Sequence, residues 1–306
     1  MPTPVPGAPH IDYGKPLEES LSVEINGGRV AYELLGPENG PRLALTPGGR
    51  FSKDIPGMRP LAEALAEGGL RVLLWDRPNT GGSDVQFWGP TESHMRAETL
   101  AALLGELNMA PAVIAGGSGG ARDSILTAIL HPEVTSKLIA WNIVGGVFGS
   151  VTLAGVYVMQ SIRACKMFGI EAVVELPEWQ ARIEMNPRNR ERILSLGTEG
   201  FYNVMAHWLS AYVPKAGYTV PGVPDEDFVN ITAPTMIIRS GENDDDHPKR
   251  TSLEVHCLIR GSKLIEPPWD EDAWNISARE RAQGRGQIFA EWVEAAPAIL
   301  EFVEEG

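Results

Sequence analysis

The sequence predicts an α/β fold: a mostly parallel sheet with helices on both faces and an inserted helical cap. Two patterns carry that prediction. From Gly57 onward, segments with apolar residues at helical spacing ("GMRPLAEALAEGG", "SHMRAETLAALLGELN", "ARDSILTAILH") alternate with short, almost wholly apolar runs ("RVLLWD", "PAVIAGG", "KLIAWNIVGG") bounded by Gly and Pro. Such runs suit parallel strands whose two faces are both covered by crossover helices. Between residues 148 and 230 the alternation stops in a stretch rich in Met, Trp and Tyr, and afterwards it resumes. An insertion that leaves and re-enters a sheet is most economically a cap over the carboxyl ends of the strands, where open α/β sheets bind ligands.

Taken in chain order, "LSVEI", "RVAYELL" and "RLALT" read as antiparallel strands opening the sheet, separated by turn residues at Asn26-Gly27-Gly28 and from Gly36 to Pro41. The helix–strand rhythm follows, so the core is expected over 1–147 and 231–306, with the cap over 148–230. After the cap come the strand "PTMIIRSG", the outer-helix segment "TSLEVHCLI", the strand "SKLIEPP" and a last amphipathic helix, "QIFAEWVEAAPAILEFV". No fixed-period repeat or low-complexity block interrupts this order.

Composition narrows the function classes. With 306 residues and 43% hydrophobic content, the chain can bury one large core, or one core plus a modest accessory domain. Its formal net charge of -14 repels a phosphate backbone and offers no basic surface, so nucleic acid is not an expected partner. There is no apolar run of about 18 residues, so no membrane span is expected. The start "MPTPVPGAPH" lacks the regions of a secretory signal, which makes the cytoplasm the expected location. Cys165 and Cys257 lie outside any CxxC or Cys/His cluster and read as two buried, reduced thiols, with no metal site implied.

The segment "VIAGGSGGARDS", Val113 to Ser124, carries the chemistry. A dinucleotide fingerprint would need Gly where Arg122 stands, and a P-loop would need a lysine that is missing. The remaining frame is the G-x-S-x-G elbow, Gly116-Gly117-Ser118-Gly119-Gly120. A serine on a sharp strand-to-helix turn has a strained backbone, and side chains two residues away on either side would collide, so glycine is needed there. The turn raises the hydroxyl above the sheet, and the following helix points free N–H groups at any oxyanion that forms.

Four segments in order resemble the α/β-hydrolase family over nearly the whole chain. "LALTPGGR" ends an early strand with a Gly-rich turn like the family's oxyanion loop, with Pro47 where that loop usually has His. "LLWDRPNTGGSD" looks like the family's Asp-x-Arg-x-x-Gly-x-Ser stretch. The elbow is the third segment, and "PTMIIRSGENDDDHP" looks like the strand and loop that present the triad acid, here Asp244. The resemblance implies oxyanion donors at the backbone N–H groups of Gly49 and Gly119. It also implies a histidine after "SKLIEPP", but the sequence there reads "WDEDAWNISARERAQG" and no histidine follows His256.

A serine hydroxyl needs a base within hydrogen-bond reach, so the six histidines must be weighed individually. His10 is in the leader, His131 at a helix end, His94 at the start of a crossover helix and His256 on an outer helix, where capping or packing suffices. His207 sits in the cap beside Trp208, where both suit substrate contact. His247 follows Asp244 by three residues and is the best candidate for the base. Its orienting carboxylate would be Asp244, or Asp270, Glu271 or Asp272 from the loop that normally supplies the histidine. Arg50 and Arg122 could each hold a substrate carboxylate or form a structural ion pair, while Arg77 reads as structural. Trp179, Tyr157, Tyr202, Met159 and Met205 are cap core or pocket lining.

The expected activity is hydrolysis of a small apolar or aromatic carboxylic ester or lactone through an acyl-enzyme, with no cofactor or metal. Hydrolysis of a carbon–carbon bond in a dienoic ring-cleavage product is the alternative. A non-catalytic ligand-binding member is a third reading, motivated by the missing late histidine. Members of the family that dehalogenate or open epoxides place Asp where Ser118 stands. The expected partner is a small-molecule substrate, and the sequence also allows a homodimer.

Overall fold

A computed structural model describes residues 14–305; the leader, with His10, lies outside them. Eight strands form one sheet: β1 (Leu21–Ile25), β2 (Gly28–Leu35), β3 (Arg42–Thr46), β4 (Arg71–Trp75), β5 (Ala112–Gly117), β6 (Thr135–Trp141), β7 (Thr235–Ile238) and β8 (Lys263–Ile265). Their spatial order is β1-β2-β4-β3-β5-β6-β7-β8. β2 pairs antiparallel with β1 and β4, and every later pairing is parallel.

This corrects the opening of the sheet. β3 does not continue an antiparallel meander but lies between β4 and β5, parallel to both. The cause is burial: from Leu43 to Thr46 the strand is covered on both faces, which suits a central parallel position better than an edge. Its alternate residues feed opposite layers. Leu43 and Leu45 pack with Leu61, Leu65, Ile299 and Phe302, whereas Ala44 joins Leu100, Leu104 and Ile114 on the other face.

The expected last helix divides. Phe289 is left-handed (φ 63°), a 3-10 turn runs over Ala290–Ala295, and the α-helix covers Ala296–Glu304 with Pro297 in its first turn. Proline has no N–H to donate and fits there without loss. Cys257 is also corrected: it is exposed on the outer helix Lys249–Leu258, while Cys165 is buried and both thiols are free.

After β6 the chain is almost entirely helical from Gly146–Ala154 to Gly197–Leu209, and residues 213–224 then carry no helix on the way to β7. These helices bury an aromatic core of Trp179, Phe201, Trp208 and Tyr212 together with Phe87 from the core domain. The loop after β4 fastens them. Asn189 accepts from the Val85 N–H (2.8 Å) and donates to the Ser83 carbonyl, while Asn186 donates to the Asp84 carboxylate (2.8 Å). Arg188 and Arg192 close on the same Asp84. The stretch "DRPNTGGSD" is therefore the platform on which the helical insertion sits.

Candidate active site

Ser118 stands between β5 and the helix Gly119–Leu130 with φ 56° and ψ -122°. A non-glycine residue in that region is strained, and surrounding close packing must hold it there. The glycines supply the space. A Cβ on Gly116 would lie 2.6 Å from the Gly120 carbonyl oxygen, and one on Gly120 would collide with the Thr46 and Pro47 carbonyls. Gly119 faces the oxyanion turn, where its Cβ would lie 3.0 Å from the Gly49 amide nitrogen. Gly49 has φ 52°, again a conformation that glycine adopts freely.

Arg77 fixes that turn. Its guanidinium donates to the carbonyls of Gly48 (3.1 Å), Gly49 (3.0 Å) and Phe51, and to Asp123 (2.9 Å). With the carbonyls engaged behind the turn, the Gly49 N–H has no partner among the described residues and is left for the cavity side. Burial, followed by repulsion from Arg96, brings Arg77 down to about 10, so it stays cationic at neutral pH.

The structure brings together the predicted serine, histidine and acid. His247 Nε2 is 2.8 Å from Ser118 Oγ, and His247 Nδ1 is 2.9 Å from Asp244 Oδ2. Asp244 also accepts from the backbone N–H groups of His247 (2.9 Å) and Asp246 (3.1 Å), and from Asn142 (3.4 Å) at the end of β6. All three members are nearly withdrawn from solvent. This arrangement can pass a proton from the hydroxyl to an imidazole whose tautomer and orientation the carboxylate sets. Asp270, Glu271 and Asp272 are engaged elsewhere: Glu271 pairs with Arg239, Asp272 with Asn243, and Asp270 accepts from the Asp272 N–H.

Sequence reasoning missed Trp274. It comes from the loop and helix after β8 and packs edge-on against the His247 ring with centroids 4.6 Å apart, its Nε1 donating to Asp246 (3.0 Å). An aromatic in "DEDAW" gives no sign, before folding, of which neighbour it will meet.

A cavity of about 410 Å³ opens above Ser118, lined among others by Phe51, Leu153, Tyr157, Arg182, Trp274 and Phe289. Arg50 also lines it, but its guanidinium is held by buried Glu92 (3.0 Å) and lies 3.6 Å from Glu178. Arg122 is turned to Ser93 (2.8 Å) and Tyr212 (3.2 Å). The two substrate contacts expected in the cap are corrected. His207 is exposed on the outer side of its helix, and Trp208 is buried in the cap core with Nε1 donating to Gly89. Trp179 and Met205 join the same core, whereas Tyr157 reaches the cavity. His94, His131 and His256 bond Thr91, Glu98 and Ser262, away from Ser118. Among the described residues no cluster of His, Cys, Asp or Glu is arranged to hold a metal, and no helix is long and apolar enough to cross a membrane.

Fold and site together define a protein of the α/β-hydrolase type, with Ser118 on a strand-to-helix elbow beneath a helical insertion. The chain matches the Alpha/beta hydrolase family over residues 43–293, and it belongs to that family. It is 24% identical over 249 residues, 80% of this chain and 82% of the relative, to a 2-hydroxy-6-oxononadienedioate/2-hydroxy-6-oxononatrienedioate hydrolase of Klebsiella pneumoniae. Among solved structures it resembles an enol-lactonase of Burkholderia xenovorans (TM-score 0.56, 17% identity, covering 86% of this chain and 100% of that one). A meta-cleavage product hydrolase of Pseudomonas fluorescens is similar too (TM-score 0.54, 18% identity, covering 93% and 97%).

Proposed function

We propose that the protein is a serine hydrolase of small carboxylic esters or lactones carrying an apolar or aromatic group. The observation that carries this reading is the continuous hydrogen-bonded chain from Ser118 through His247 to Asp244, set beside the amides of Gly49 and Gly119. Ser118 attacks the carbonyl while His247 takes its proton, and the Gly49 and Gly119 N–H groups hold the oxyanion. His247 returns the proton to the leaving oxygen, and water then releases the acyl group by the reverse sequence. Phe51, Leu153, Trp274 and Phe289 supply an apolar wall for the substrate.

A second reading is hydrolysis of a carbon–carbon bond in an anionic dienoic compound. It is favoured by the activity of the Klebsiella pneumoniae relative, a 2-hydroxy-6-oxononadienedioate/2-hydroxy-6-oxononatrienedioate hydrolase, and by Arg182. That guanidinium lines the cavity, donates only to the carbonyls of Asn79 (2.6 Å) and Glu178, and forms no ion pair among the described residues. Burial, followed by repulsion from Arg50, brings it down to about 10, still cationic at neutral pH and free to meet a carboxylate.

A fluorophosphonate probe tests the shared premise. The wild type is expected to be tagged, and Ser118→Ala to abolish the tag. An untagged wild type that still binds small apolar ligands makes the protein a binding member of the fold. Turnover of p-nitrophenyl esters against that of dienoic dioates then separates the two hydrolytic readings.

A further inference from the structure

The helix that leads into the cap is not regular. Between the α-helical spans Gly146–Ala154 and Gln160–Phe168, residues Gly155–Met159 form one π-helical turn. A π-bulge carries an extra residue per turn, re-aims the side chains around it and recurs at functional sites. Here it leaves Val156 about half exposed (52%) while Tyr157 turns inward to 8%.

Tyr157 is aimed at the oxyanion turn. A Cβ built on Gly49 would lie 3.3 Å from the Tyr157 hydroxyl oxygen, which places the phenol against the residue whose amide nitrogen faces Gly119. The ring is fixed on two sides, by the Arg50 guanidinium 4.8 Å from its centroid and by Tyr212 edge-on at 6.3 Å. Yet the Tyr157 hydroxyl has no hydrogen-bond partner among the described residues. Its neighbour Tyr212 differs, since that hydroxyl accepts from Arg122. The Tyr157 side chain lines the cavity, so a hydroxyl without a protein partner there, beside the proposed nucleophile, is a donor turned toward whatever the cavity holds.

We infer that the Tyr157 hydroxyl is a third donor of the oxyanion hole, supplied by the cap and completing the pair of backbone amides at Gly49 and Gly119. The inference rests on the proposed serine-hydrolase reading. When Ser118 adds to the carbonyl, the electron pair moves onto the carbonyl oxygen, and the phenol O–H donates to that oxygen without transferring its proton. Burial, then repulsion from Tyr212, pushes Tyr157 up to about 12, so the donor keeps its proton throughout the working range. Arg50 contributes through the ring rather than the substrate, which accounts for an arginine beside the site that is already ion-paired to Glu92.

Tyr157→Phe tests the assignment with a p-nitrophenyl ester and a boronic acid that mimics the tetrahedral intermediate. Removing one oxyanion donor is expected to lower kcat by about 100-fold and to weaken the boronic acid by a similar factor. KM should change little; fluorophosphonate tagging of Ser118 should slow along with kcat, because the phosphonyl oxygen occupies the same hole, yet still go to completion. If Tyr157 only packs, kcat and boronic acid affinity stay at wild-type levels or KM moves with kcat, and the inference is overturned. Should Tyr157→Phe not fold, a difluorotyrosine placed at position 157 keeps the ring and makes the phenol more acidic. Turnover should then acquire an alkaline fall, absent from the wild type, as the phenol ionises; a flat profile overturns the inference. A tagged, ester-cleaving enzyme with an indifferent Tyr157 refutes this assignment alone, whereas an untagged wild type overturns it together with the hydrolase reading.

Discussion

His247 and Asp244 stand three residues apart on the loop after β7, so one short turn carries both partners that Ser118 requires. In the family pattern the histidine comes from the loop after the last strand, and here Trp274 occupies that region and walls the imidazole instead. The serine was legible because glycine at positions 116 and 120 answers to a steric demand that few other motifs make. The histidine was legible by elimination, since four of the other imidazoles had sites where capping or packing sufficed and His207 suited substrate contact better than base work. Arg182 and Trp274 were not legible as site residues, and Tyr157 was legible only as cap core or pocket lining, because their place depends on helix phase and on where long side chains end, which local spacing does not encode. Loss of either loop partner should act on chemistry. His247→Ala is expected to lower p-nitrophenyl ester turnover by at least about 100-fold. Asp244→Asn, which leaves the imidazole in the wrong tautomer, should lower it by roughly 1,000-fold or more. Near wild-type turnover in either variant would remove that residue from the mechanism.

Elements rather than single residues decide how the oxyanion turn is held. The helix Glu92–Glu106 brings Glu92 and Arg96 under the turn, where Glu92 binds Arg50 (3.0 Å), Arg96 (3.0 Å) and Asn79 (3.0 Å), while Arg77 spans Asp123 and the turn carbonyls. Burial alone would raise Glu92, but Arg50 and Arg96 outweigh it and hold it down to about 2 from its ordinary 4.5. A carboxyl depressed in the folded state contributes stability above its unfolded value and loses it as pH falls toward the folded value. Glu92→Gln should therefore be less stable than the wild type by about 3 kcal/mol at neutral pH. The gap should narrow as pH drops from 4.5 toward 2. Urea midpoints measured across that range at constant m would show it, and a gap unchanged at the acid end would place the effect in packing. The same scale explains the misread strand. "RLALT" has the composition of any strand, and only pairing across the sheet reveals that β3 sits between β4 and β5.

For the whole molecule, the cavity exists only because the helical insertion is seated on the core. The insertion was legible as a break in rhythm, and its seat was not, since "NPRNR" reads only as a turn between two short helices and does not say what the side chains of Asn186 and Asn189 will meet. These asparagines satisfy buried backbone groups of the loop after β4: Asn189 serves the Val85 N–H and the Ser83 carbonyl, and Asn186 the Gly82 carbonyl. Leaving such groups unpaired costs about 1–3 kcal/mol each. The loss should fall on the seat rather than the sheet, whose strands pack in separate clusters from the cap core. Asn186→Ala combined with Asn189→Ala is thus expected to speed amide hydrogen exchange in the helices from Gly146 to Leu209 and in residues 79–88. Protection in β3, β5 and β6 should stay near wild-type levels. Ester KM should rise, because Tyr157, Leu153 and Arg182 reach the cavity from the loosened helices. If exchange instead accelerates uniformly through β5, the cap and core unfold as one unit, and the seat is a part of global stability rather than a local fastening.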